Sequence, residues 1–170
     1  IMDVSQVESK ITPRTKAIMP SHLNGRPVDM DVVNAIAKKH GLYVIEDACQ
    51  GLLCKAGDQY CGTLSDVGCF SFSIAKLIPT GQGGFLTTKN KGRYEQLRRI
   101  RMNGCSGKTD YDFNHMGFNF KYTDLQAVIG IEQMKKLPSR VERKKEMYAL
   151  YHRLLSPLSE IQFISTTPLS

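Results

Sequence analysis

Leu42-Tyr43-Val44-Ile45-Glu46-Asp47 is a short apolar run closed by a carboxylate, and Phe70-Ser71-Phe72-Ser73-Ile74-Ala75 is a second one, followed by Lys76. Both are β-rich and too short for stable helices, so Leu42 to Glu46 and Val67 to Phe72 read as strands. Ahead of them, Lys16 to Pro20 reads as a brief strand. Between these, Val32, Val33, Ile36 and Ala37 recur at helical spacing; Asp29 or Asp31 can cap that helix and Gly41 stops it after His40. Gly84 to Thr88 gives a further strand after a glycine loop. Strand, helix, strand in this rhythm predicts an α/β fold, three layers deep, around a mostly parallel sheet. Ligands of such sheets sit at strand ends. Asp47 and Lys76, twenty-nine residues apart, both stand just past one.

The second half reads as helical. Asp3 to Glu8 aside, which looks like a short helix, the periodic segments are Lys91 to Met102, with Tyr94, Leu97 and Ile100 on one side, and two later ones. Thr123 and Gln126 form a capping-box pattern opening a helix to about Lys136, whose buried side would be Leu125, Val128, Ile129 and Met134. Pro138 can start a long helix with Val141, Tyr148, Tyr151 and Leu155 inward. Gly104 to Asn119 reads as an ordered loop. From Ser156 onward Pro, Ser and Thr dominate, as in a linker or the start of another domain.

Composition narrows the classes. At 170 residues, 41% hydrophobic and 23% charged, the chain suits a soluble globular domain. No apolar run reaches bilayer length and no basic-then-apolar leader opens the chain, so the expectation is a cytoplasmic protein without membrane contact. Cys49, Cys54, Cys61, Cys69 and Cys105 are unevenly spaced without a Cys-x-x-Cys pair, which predicts free thiols and no metal site. The net charge of +7 is concentrated in Arg98-Arg99-Ile100-Arg101 and Arg140-Val141-Glu142-Arg143-Lys144-Lys145. Neither cluster is interleaved with aromatics, so solvated helix faces are expected instead of a nucleic-acid surface.

An amine and a carboxylate at strand ends match the needs of pyridoxal phosphate. The lysine holds its aldehyde as a Schiff base, and the carboxylate keeps the ring nitrogen protonated. Five further stretches sharpen this: Ile45-Glu46-Asp47-Ala48-Cys49-Gln50, Gly68-Cys69-Phe70-Ser71-Phe72, Lys76, Gly81-Gln82-Gly83-Gly84, and Gly117-Phe118-Asn119-Phe120-Lys121-Tyr122-Thr123-Asp124-Leu125-Gln126-Ala127. In order and spacing they resemble the DegT/DnrJ/EryC1/StrS family of pyridoxal-phosphate-dependent sugar aminotransferases, over residues from about 3 to about 155.

The resemblance implies the large domain of the aspartate-aminotransferase type for 1–155, truncated at both ends, with 156–170 as linker or start of a small C-terminal domain. It implies Lys76 and Asp47 as catalytic residues, with Gln50 near the cofactor ring oxygen and Ser71 on its phosphate. Asn119 would reach a neighbouring subunit's cofactor phosphate, making a homodimer with shared sites. Read from the residues alone, Gln50 could equally cap the next turn, Ser71 satisfy backbone and Asn119 sit in a turn. His22 reads as structural, and the glycine loop as backbone that passes close to the cofactor. The implied reaction moves an amino group, usually from glutamate, to a nucleotide-diphosphate-linked keto-sugar. A cyclitol aminotransferase, an aminohydroxybenzoate synthase, or a non-catalytic binding module stay open as alternatives. Ala75, Lys121 and Leu52-Leu53-Cys54 depart from the family pattern; Lys121 in place of arginine loses a bidentate grip on a carboxylate.

Overall fold

The computed structural model describes residues 1–105 and 115–164. Two 3-10 turns, Val4–Gln6 and Glu8–Lys10, stand where one short helix is expected. Strand β1 (Ala17–Ile18) is followed by helix α1 (Met30–His40) and strand β2 (Tyr43–Asp47). A hairpin of β3 (Lys55–Ala56) and β4 (Gln59–Tyr60) precedes β5 (Val67–Ser71) and β6 (Gly84–Thr87). Helices α2 (Lys91–Arg101), α3 (Asp124–Lys135) and α4 (Leu137–Leu155) complete the order. After Leu155 the described chain runs through turns. The loop reading of Gly104 to Asn119 and the linker reading of 156–170 lie partly outside the described residues.

The main sheet runs β1-β2-β5-β6, with the first two pairings parallel and the last antiparallel. The hairpin β3–β4 was not expected from the apolar pattern. Its signal is the Gly57-Asp58 turn, with Gly57 at φ 59°, because a tight hairpin needs positive φ there.

Local chemistry explains the helix bounds. Asp29 accepts from the Val32 amide to cap α1, and Gly41 takes the left-handed conformation that ends it. Asn90 caps α2 through the Arg93 amide. Thr123 and Gln126 form the reciprocal capping box of α3, and Pro138 stands in the first turn of α4.

The core sits between α1 and the β1–β2 edge: Ile18, Val28, Met30, Val33, Ala37 and Val44 are buried together, with Ile36 packed against them. Val32, expected on this face, is instead exposed. A larger correction concerns α3 and α4. Leu125, Val128, Ile129 and Met134 are exposed, as are Tyr148 and Tyr151, and neither helix has a fully buried residue. Val141 and Leu155 are half-buried, with Val141 near Leu52, Leu53 and Leu77, but most of the apolar faces of α3 and α4 are left uncovered by the described chain.

Candidate active site

Strand β2 places consecutive carboxylates on opposite faces, because strand side chains alternate. Glu46 points into the interior with Val44; Asp47 points the other way at the strand's carboxyl end.

Glu46 is a fully buried keystone. It accepts from His22 Nε2 at 3.0 Å, Gly62 N at 2.6 Å, Leu64 N at 2.7 Å and Ser65 Oγ at 2.8 Å. His22, also fully buried, accepts the Val28 amide on Nδ1 at 3.1 Å, so its single proton sits on Nε2 and the ring is neutral. Burial pushes the Glu46 pKa up, but these donors outweigh it and hold it below the usual 4.5. The loop that supplies them passes so close over β5 that a Cβ on Gly68 would meet the Gly62 carbonyl at 1.9 Å. The structural reading of His22 holds; the part played by Glu46 was not legible beyond its place in a strand.

On the other face the register aligns Asp47 with Cys69, two residues before Ser71 in β5. Asp47 Oδ2 accepts from Ser21 Oγ and Oδ1 from the Cys49 amide, both at 3.1 Å. Burial works to raise the Asp47 pKa; the Cys49 and Ser21 donors and the Lys76 charge outweigh it and hold the carboxylate below its usual range. The Cys49 thiol is pushed up to about 11 by burial and by Asp47, so it is a neutral neighbour at physiological pH.

Lys76 lies not at the strand tip but in a loop after β5. The loop is closed at its neck: Phe72 N donates to Gly83 O at 2.8 Å and Thr80 N to Phe72 O at 2.9 Å. Its far side is tied down by Arg140 of α4, whose Nη1 donates to Leu77 O at 3.1 Å. The neck rests on aromatic rings, with Phe70 stacked on Phe85 at 4.3 Å and Phe72 beside Tyr122 at 6.1 Å. Gly83 has φ 119°, and a Cβ there would stand 2.6 Å from the Tyr122 ring, so the glycine is required by both conformation and space.

Ser71 Oγ accepts from Ser73 N at 3.2 Å, which leaves its hydroxyl hydrogen to donate. Gln50 is exposed and its Oε1 accepts from Asn24 N at 2.9 Å, tying it to the turn after His22. Asn119 is placed elsewhere: it bridges Met102 beside the end of α2, on an exposed segment. The structure therefore gathers Asp47, Ser71 and Lys76 around the carboxyl ends of β2 and β5. A groove of about 870 Å³ lies beyond Gly83 and Gly84, between β6, α2 and Tyr122. Among the described residues no His, Cys, Asp and Glu group could hold a metal ion, and no helix is long and apolar enough to cross a membrane.

An amine near an ionised carboxylate, with a serine hydroxyl on the same sheet edge, is a donor set that fits pyridoxal phosphate. Comparison with known proteins agrees. The family model of the DegT/DnrJ/EryC1/StrS aminotransferases matches residues 1–170. GDP-perosamine synthase of Caulobacter vibrioides is 36% identical over 157 residues, covering 92% of this chain and 42% of that one. UDP-N-acetyl-3-dehydro-alpha-D-glucosamine 3-aminotransferase of Acidithiobacillus ferrooxidans is 43% identical over 75% of this chain and 34% of its own. The crystal structure of S. venezuelae DesV, in complex with a ketimine intermediate, superimposes with a TM-score of 0.89 at 33% identity, over 99% of this chain and 45% of that one. The chain thus spans less than half the length of these relatives. With fold, motif order and profile in agreement, it belongs to the DegT/DnrJ/EryC1/StrS family of pyridoxal-phosphate-dependent aminotransferases.

Proposed function

We propose that the protein carrying this chain transfers an amino group, with glutamate as donor, to a keto-sugar linked to a nucleoside diphosphate, in the cytoplasm and as a homodimer. The observation that carries the reading is the half-buried Asp47 at the end of β2, held as an anion by the Ser21 hydroxyl and the Cys49 amide with the Lys76 charge beside it. Relatives named for GDP- and UDP-linked amino sugars support the substrate class.

Bound pyridoxal phosphate would supply an electron sink for the carbanion formed at the substrate carbon. Lys76 Nζ would hold its aldehyde and, once released, carry a proton between the substrate α-carbon and the cofactor's former aldehyde carbon. Asp47, kept anionic by its donors, would pair with the ring nitrogen. Ser71 would donate its hydroxyl to the phosphate. Gln50, with its Oε1 engaged by Asn24, would present its amide N–H groups to the ring oxygen. Asn119, which pairs with Met102 away from this group, would serve a neighbouring subunit's phosphate, with 1–155 as part of a cofactor domain completed by dimerisation and 156–170 leading onward.

The test is borohydride reduction of the whole protein with pyridoxal phosphate, followed by peptide mapping, then turnover on a panel of nucleotide-linked keto-sugars and cyclitols. A single label on Lys76 and turnover of a nucleotide sugar is the expected result. Label scattered over surface lysines, or turnover of a cyclitol only, would reject the corresponding half of the proposal.

A further inference from the structure

Both oxygens of the Asp47 carboxylate already have protein donors: Cys49 N on Oδ1 and the Ser21 hydroxyl on Oδ2. Neither donor is there by chance of rotamer. Ser21 is bridged to Asp47 by main-chain bonds on either side, Asp47 N to Pro20 O at 2.8 Å and His22 N to Asp47 O at 3.0 Å. Cys49 is fixed in the turn that begins where Ala48 N bonds Cys69 O at 2.9 Å. A carboxylate has about four lone-pair sites, so two such bonds fix its plane and still leave acceptors for a ring N–H.

We propose that Ser21 and Cys49 are positioning residues for Asp47, the Ser21 hydroxyl and the Cys49 amide locking the carboxylate in plane and as an anion before the cofactor ring arrives. This inference rests on the reading of Asp47 as partner of the ring nitrogen. Ser21 is the informative member, because its hydroxyl can be removed without changing charge or backbone. The other groups that face Asp47 are the Lys76 ammonium from the loop after β5, the Cys69 thiol from β5 and the Cys49 thiol from the turn. The neutral His22 ring and Glu46 are committed to each other on the opposite face of β2. Of these, the Cys49 thiol also lends the carboxylate a hydrogen bond, and Ser21 supplies the hydroxyl on Oδ2.

The experiment measures the dissociation constant of pyridoxal phosphate for the whole protein from about pH 5 to about pH 8, in wild type, Ser21→Ala, Ser21→Thr and Asp47→Asn. Loss of one donor to the anion should move the acid weakening of binding upward by about one pH unit in Ser21→Ala relative to wild type, about tenfold at the acid end. The neutral plateau should change far less, and Ser21→Thr should restore the wild-type profile. Urea midpoints of the variants establish that they are folded. Uniform weakening at every pH without rescue by threonine would make Ser21 merely structural and overturn the inference. So would an unmoved acid limb, while loss of binding in Asp47→Asn kept the underlying reading intact. Wild-type binding by Asp47→Asn would sink that reading, and the inference with it.

Discussion

Helix α1 and the α3–α4 pair begin from similar sequence patterns and end in opposite surroundings. Helix α1 lies on β1 and β2 and buries Met30, Val33 and Ala37. Helix α3 is as well capped, yet leaves Leu125 80% exposed and Met134 53% exposed. Periodicity reports that a helix has an apolar face; it does not report whether the same stretch of chain supplies the surface that covers it. An uncovered apolar face of this extent marks a contact site. If the remaining protein or a second subunit covers it, the cost of truncating an α3 side chain will depend on whether that cover is present.

The largest expected effect breaks the α1 side of that comparison from below. Glu46→Ala leaves the Gly62 and Leu64 amides and His22 Nε2 without their acceptor, and should destabilise by about 3–5 kcal/mol in urea unfolding. The acid response gives an independent check. A carboxylate whose pKa is lowered on folding stabilises fully above its ordinary value, and the contribution is lost as pH falls through the folded value. The wild-type urea midpoint should therefore decline as pH drops below 4.5, whereas Glu46→Gln starts lower and declines less steeply.

A matched pair of substitutions sharpens the contrast. Met30, 4% exposed, should cost about 2–4 kcal/mol when changed to Ala, while Met134→Ala in the 170-residue chain should stay within about 0.5 kcal/mol. In the whole protein the Met134→Ala cost should rise toward that of Met30→Ala. Equal small costs in both settings would mean that α3 has no cover.

The smallest effect concerns the caps. Asp29→Ala and Thr123→Ala each remove one bonded acceptor, worth about 1 kcal/mol. The first should appear in global unfolding. The second should appear mainly as faster amide exchange in the first turn of α3.

What was legible follows the same division. Strand positions, the Asp29 and Thr123 caps, the Gly41 stop and the placement of Asp47 at a strand end depend on local chemistry, and the structure has them all. The antiparallel direction of β6, the exposure of Tyr148 and the four donors on Glu46 depend on what meets what, which local patterning does not report; periodicity placed Tyr148 inward, and it is exposed. Lys76 falls between: its motif was readable, but its seat in a necked loop depends on Phe72, Gly83 and Arg140, which are far apart in sequence.

Adjacent carboxylates with unlike duties also constrain how this gene can change. In β2 the two-residue repeat assigns Glu46 to the interior and Asp47 to the site, so a one-residue insertion or deletion between Val44 and Glu46 would exchange their sides. The interior would then receive a shorter acid out of reach of its donors, and the site a longer one. Substitution can explore this strand position by position; changes in its length are closed to it.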